Sequence, residues 1–91
     1  MNKCVNLKVF GRVQKVFFRV GVQAKARELG LTGWVTNEAD QTVIIFAEGK
    51  EERLRDLINW CQGSPGFAKV DKVEVKWGKT TEEFKEFKIQ N

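Results

Sequence analysis

Apolar residues recur with period two in some segments and at helical spacing in others, in the order strand, helix, strand, strand, helix, strand. That order predicts an α+β sandwich, two helices laid on one face of an antiparallel sheet. Length agrees: 91 residues, 42% hydrophobic and 31% charged, suit one soluble domain spanning 1–91, built on one core. Punctuation agrees as well, because Gly30 and Gly63-Ser64-Pro65-Gly66 fall where the two helical patterns end.

Val5, Leu7 and Val9 alternate with Asn6 and Lys8, giving a half-buried first strand that ends at Gly11. From Phe18 the period changes. Phe18, Val22, Ala26 and Leu29 share a helical face, and Gly30 stops the helix. Leu31 to Asn37 reads as the second strand, and the polar turn Glu38-Ala39-Asp40-Gln41 leads into the apolar run Val43-Ile44-Ile45-Phe46-Ala47. These two strands make a hairpin whose second member is interior. Leu54, Leu57, Ile58 and Cys61 form an i, i+3, i+4, i+7 stripe on a second helix, with Glu51 and Glu52 in the first turn, where the helix dipole favours them. Beyond the breaker, Val73, Val75 and Trp77 alternate with Lys72, Glu74 and Lys76 as a strand with one wet face. Gly78 to Glu83 is a polar link, and Phe87 and Ile89 mark a short terminal strand. The order β-α-β-β-α-β plus a terminal strand is the ferredoxin-like, split βαβ sandwich. There is no internal repeat, low-complexity segment or linker long enough to separate domains.

The chain has no histidine, two cysteines and a formal net charge of +4. A histidine base, a histidine-ligated metal and a Ser-His-Asp or Cys-His nucleophile are thereby excluded. Cys4 and Cys61 are too few for a zinc cluster or a disulfide scaffold, and they read as a strand residue and a helix-face residue. No metal or cofactor is expected. The start MNKCVNLKVF lacks the apolar run of a signal peptide, and no segment approaches the roughly 20 apolar residues of a membrane span. A cytoplasmic protein with reduced thiols and no membrane partner is the expectation.

The charge is uneven. Lys3, Lys8, Arg12, Lys15, Arg19, Lys25 and Arg27 against Glu28 give +6 over residues 1–28, which leaves −2 for residues 29–91. Such a bias suggests a local anion site more than a general nucleic-acid surface, although a solvated basic strand and helix would show the same numbers. Gly11-Arg12-Val13-Gln14-Lys15-Val16-Phe17-Phe18-Arg19 joins the first strand to the first helix. A short connection of this kind can aim several backbone N–H groups into one concavity, reinforced by the free amides of the helix start. Arg19 can set a charged fork over the same concavity and bind two anionic oxygens at once. Most basic strand-to-helix loops bind nothing, so the loop alone marks only a candidate anion site.

Gly11, Val13, Gln14, Val16, Phe18 and Arg19 fit the pattern G-x-V-Q-G-V-x-F-R. Residues 30–43 follow G-L-x-G-W/Y-V-x-N-x-x-D-G-x-V, and Gly63-Ser64-Pro65 fits a G-S-P breaker before the fourth strand. In these motifs the chain resembles the acylphosphatases over about residues 5 to 89, nearly its whole length. The resemblance implies hydrolysis of the carboxyl–phosphate bond of acyl phosphates to carboxylate and inorganic phosphate, without metal or covalent intermediate. It implies that the loop amides of Arg12, Val13, Gln14, Lys15, Val16, Phe17 and Phe18 cradle the phosphate, that Arg19 binds its oxygens, and that Asn37 orients the attacking water. The expected partner is a small acyl phosphate or inorganic phosphate, handled by a monomer.

Lys15 stands where the pattern has its second glycine, and Gln41 replaces the glycine of the D-G turn. If the Lys15 position needs φ > 0, its side chain costs about 1–2 kcal/mol, while Gln41 is expected to alter the hairpin after Asn37 and displace that side chain. Lys15 would then narrow the cradle or, alternatively, add a cation to it. Two readings stay open: an acylphosphatase with activity reduced by Lys15 and Gln41, or an acylphosphatase-like module that binds an anion or RNA with weak or lost catalysis. Trp34, Trp60, Trp77 and seven phenylalanines read mainly as packing. The glycine and aromatic signature of RNA-recognition strands is absent from Val43 to Phe46 and from Cys4 to Phe10, so nucleic acid is not the expected partner. Asp40 reads as a turn residue, since one unpartnered carboxylate is a poor acid or base.

Overall fold

Alternation along the first strand sets the layers. In a computed structural model, which describes residues 2–90, Val5, Leu7 and Val9 of β1 (Asn2–Arg12) are completely buried beneath the helices. The chain continues through α1 (Phe18–Glu28), β2 (Thr32–Asn37), β3 (Val43–Lys50), α2 (Glu51–Gln62), β4 (Lys69–Gly78) and β5 (Phe87–Gln90). Val43, Ile45 and Ala47 of β3, Val35 of β2 and Phe87 of β5 face the same side as the β1 valines. They meet Phe18, Val22 and Ala26 of α1 and Leu54, Leu57 and Cys61 of α2. Each such side chain contributes about 1.5–3 kcal/mol by leaving water. Helix α1 lies over β2 and β5, and α2 over β1, β3 and β4.

The sheet order is β4-β1-β3-β2-β5. Its first four strands are antiparallel, as the period-two pattern predicts. The terminal strand corrects the wholly antiparallel expectation: β5 pairs with β2 in parallel, so the sheet is mixed. The cause lies in the link. Strand β4 ends on one edge, and the segment after Gly78 crosses below the ends of β1 and β3 to reach the other edge, where β5 must run with β2.

A buried carboxylate holds that crossing. Glu48, 4% exposed at the end of β3, accepts hydrogen bonds from the Thr80 hydroxyl, the Thr81 N–H, the Thr81 hydroxyl at 2.7 Å and the Glu82 N–H at 3.3 Å. Burial pushes the carboxyl pKa up, but these donors outweigh it and leave the group below its ordinary 4.5. Gly33 shows a second constraint: at φ 137 a Cβ would stand 1.9 Å from the Phe46 carbonyl oxygen, so only glycine lets β2 close on β3.

Aromatic residues outside the core do pack. Trp34 stacks on Phe46 with centroids 5.9 Å apart, and Phe46 meets Phe84 at 5.5 Å. Trp60 lies 6.1 Å from Phe18, while Trp77 takes Arg55 over its ring at 4.9 Å. Both cysteines are free and buried. Cys4 donates to the Lys79 carbonyl at 3.0 Å from the sheet face opposite the helices, whereas burial pushes the Cys61 thiol up to about 12.

Because Glu48 titrates lower in the folded than in the unfolded chain, its stabilisation is present above about pH 4.5 and is lost as the pH falls through the folded value. Glu48→Gln is expected to cost about 1–3 kcal/mol near neutral pH and progressively less as the solution is acidified and the native side chain takes up its proton. Urea denaturation of both proteins across an acid pH series checks this.

Candidate functional site

The site begins with a slip in the sheet. The β1–β4 register shifts between Phe10 and Gly11, where φ is 127 and a Cβ would lie 2.2 Å from the Lys69 carbonyl oxygen. Only glycine fits this bulge. Arg12 still pairs with Lys69 as the last residue of β1, and Val13, 1% exposed, anchors the following loop in the core. Lys15 and Phe17 then adopt left-handed backbone, φ 63 and 62. Left-handed residues placed alternately turn nearby N–H groups toward a common point, a nest for an anion.

Helix α1 starts at once, with Phe17 as an N-cap that makes no side-chain cap hydrogen bond. Among the described residues, the N–H groups from Gln14 to Phe18 donate to no backbone carbonyl. The helix start adds partial positive charge to them. Arg19 stands in the first turn and walls a cavity of about 210 Å³ with Val13, Lys15, Phe17, Phe18, Val20 and Ile89. Of the other loop residues expected at the site, Gln14 and Val16 are half-buried outside this cavity.

Asn37 does not wall that cavity. It is the last residue of β2, opposite Val43, and its Oδ1 is buried with no hydrogen-bond partner among the described residues. An unsatisfied buried acceptor costs about 1–3 kcal/mol. Such an atom is matched to a donor that arrives from outside, such as water.

Gln14 joins the two halves. Its Nε2 donates to the Glu38 carbonyl at 2.8 Å and the Thr42 carbonyl at 2.9 Å, fastening the loop to the hairpin that follows Asn37. The hairpin is itself knotted. Glu38 N–H reaches the Thr42 carbonyl at 2.9 Å, and Asp40 accepts from the Thr42 N–H and hydroxyl while pairing with Lys8 at 3.1 Å. Thr42's hydroxyl and amide, and then Lys8, hold the Asp40 carboxyl down to about 2. Asp40 is thus a turn residue, as expected. Sequence reasoning assigned Gln14 only a backbone role. Its side-chain partners are carbonyls 24 and 28 residues away, which carry no residue-type signal.

Both suspected glycine positions do require left-handed backbone: Lys15 has φ 63 and Gln41 has φ 73. Lys15 is exposed and makes no ion pair among the described residues.

Comparison with known proteins places these features in a family. The acylphosphatase family model matches residues 5–89. An acylphosphatase of Marinobacter nauticus is 46% identical over 83 residues, covering 91% of this chain and 90% of the relative. The crystal structure of acylphosphatase from Bacillus subtilis superposes with a TM-score of 0.93 at 35% identity, covering 100% of both chains. An acylphosphatase structure from Coxiella burnetii gives 0.91 at 35% identity, covering 98% of this chain and 93% of that one.

Replacing Gln14 by Ala is expected to cost about 1–3 kcal/mol in thermal or urea unfolding, because two hydrogen bonds between the loop and the hairpin are lost. Gln41→Gly should move the other way by about 0.5–1 kcal/mol, the relieved left-handed strain exceeding the added chain entropy. A Gln41→Gly protein less stable than the parent would contradict the strain assigned here.

Proposed function

The chain belongs to the acylphosphatase family and is an acylphosphatase; from that premise we propose that the loop amides from Arg12 to Phe18 hold the phosphoryl group, Arg19 grips two of its oxygens, and Asn37 orients the water. The observation that carries this reading is the buried Asn37 Oδ1, without a partner among the described residues, on a hairpin that Gln14 ties to the uncapped amide loop.

The chemistry suits a protein without imidazole. Asn37 is no base, but its Oδ1 accepts a hydrogen bond from water and turns a lone pair toward phosphorus. The water oxygen bonds to phosphorus as the bond from phosphorus to the acyl oxygen breaks. That electron pair leaves on the carboxylate, whose low pKa removes the need for a general acid, and a phosphoryl oxygen takes the water proton. The protein's task is positioning and the spreading of charge over the phosphoryl oxygens. The left-handed strain at Lys15 and Gln41 supports a rate below that of a glycine-bearing relative.

The same reading extends to context. One core shared by both helices and the sheet supports treating residues 1–91 as a single domain, and we read that domain as a monomer acting on small acyl phosphates rather than nucleic acid. Two free buried thiols support a reducing compartment, the cytoplasm. Among the described residues no helix is long and apolar enough to cross a membrane.

Each hydrogen bond to a charged oxygen contributes about 1.5–3 kcal/mol, so losing both prongs of Arg19 removes about 3–6 kcal/mol. Arg19→Ala should therefore lower kcat/KM for benzoyl phosphate, assayed with a chelator present, by about 10²-fold or more and weaken inhibition by orthophosphate. Asn37→Ala should lower kcat while orthophosphate inhibition persists. Parallel losses of turnover and phosphate inhibition in both variants would refute the division of roles.

A further inference from the structure

Two of the four large apolar residues exposed among the described residues, Phe17 at 79% and Phe67 at 81%, stand on the rim of one groove. The groove holds about 270 Å³ and is walled by apolar side chains and backbone, with Trp60 and Phe18 inside and Val16 and Pro65 beside them. It shares Phe17 and Phe18 with the Arg19 cavity, so the two open into the same loop.

The groove is built rather than accidental. Trp60 is fixed by stacking on Phe18 at 6.1 Å and 15°, close against α1 at Gly21. The turn that presents Phe67 is tied at both ends: Val70 N–H donates to Ser64 Oγ at 2.9 Å, and Ala68 N–H to the Pro65 carbonyl at 3.1 Å. Phe17 projects its ring into solvent from a left-handed backbone, φ 62, which costs a bulky residue strain and wets an apolar surface at once. Neither cost stabilises the fold.

We propose that this groove is the subsite for the acyl group, and that the chain's substrates are acyl phosphates with bulky, uncharged acyl groups, aromatic or branched. The proposal rests on the phosphate assignment above. The groove lies beside α2, over the β1 and β4 side of the sheet, whereas Asn37 belongs to β2 on the other side. The phosphate loop touches both, because Gln14 binds the hairpin after Asn37 while Phe17 and Phe18 wall the groove, so the acyl group of a substrate whose phosphoryl group sits in the loop has this groove beside it. A cavity of about 150 Å³ accepts a benzene ring, so this one has room for a phenyl group. With no charged side chain on its walls, it has no partner for an acyl group bearing a second carboxylate.

Phe67 is exposed, lies outside the phosphate loop and can be removed without opening the core. In Phe67→Ala, kcat/KM for benzoyl phosphate is expected to fall about tenfold or more, while acetyl phosphate turnover and orthophosphate inhibition stay within about twofold. Phe67→Leu should recover part of the benzoyl preference. An unchanged ratio of benzoyl to acetyl phosphate in Phe67→Ala overturns the acyl subsite and leaves the phosphate assignment intact. Equal loss on both substrates also overturns it, and a parent protein that hydrolyses neither overturns both assignments.

Discussion

Left-handed backbone at Lys15 and Phe17 is the constraint on which the rest of the site depends. Alternating left-handed residues are the backbone pattern of an anion nest, and neither residue is a glycine that would adopt it freely. The surrounding structure has to impose it. Val13 and Phe18, buried on either side, fix where the loop leaves and rejoins the core. Gly11 absorbs the register slip that turns the strand into the loop, and Gln14 clamps the loop to the neighbouring hairpin. The conformation is over-determined by its flanks, which is the condition for strain to persist at a functional site.

The two ends of the sheet serve different purposes. At one end, among the described residues, the Asn37 Oδ1 is buried without a protein hydrogen-bond partner. At the other end, Glu48 is saturated with donors from Thr80, Thr81 and Glu82 and secures the crossing that delivers β5 to the far edge. That delivery matters to the site, because Ile89 of β5 is a wall of the Arg19 cavity. A buried carboxylate remote from the chemistry thus helps to shape it. The polarity differs for a physical reason: satisfied polar groups rigidify, and unsatisfied ones bind.

Much of this was legible in the residues. Period-two alternation at Val5, Leu7 and Val9 and the helical stripe through Leu54, Leu57, Ile58 and Cys61 report burial directly, so layers and element order followed from pattern. The loop, Arg19 and Asn37 stood out as candidates because phosphate binding needs particular residue types at fixed spacing. Lys15 and Gln41 were legible as suspect positions, but whether glycine was needed there is a matter of φ, which a residue name does not state. The parallel pairing of β5 was hidden because alternation reveals a strand's buried face and says nothing of its direction.

The sequence by itself determined the layers and the family and singled out the candidate site residues, since these depend on local periodicity and on side-chain chemistry at short separation. Only the tertiary structure decided how they meet: Gln14 on two carbonyls of the hairpin, Glu48 under the crossing link, Phe17 and Phe67 on one rim. Those meetings join segments dozens of residues apart through backbone atoms and shape, and every residue has the same backbone carbonyl. Nothing in a residue's identity marks which distant carbonyl it will reach, so such contacts exist only once the chain has folded.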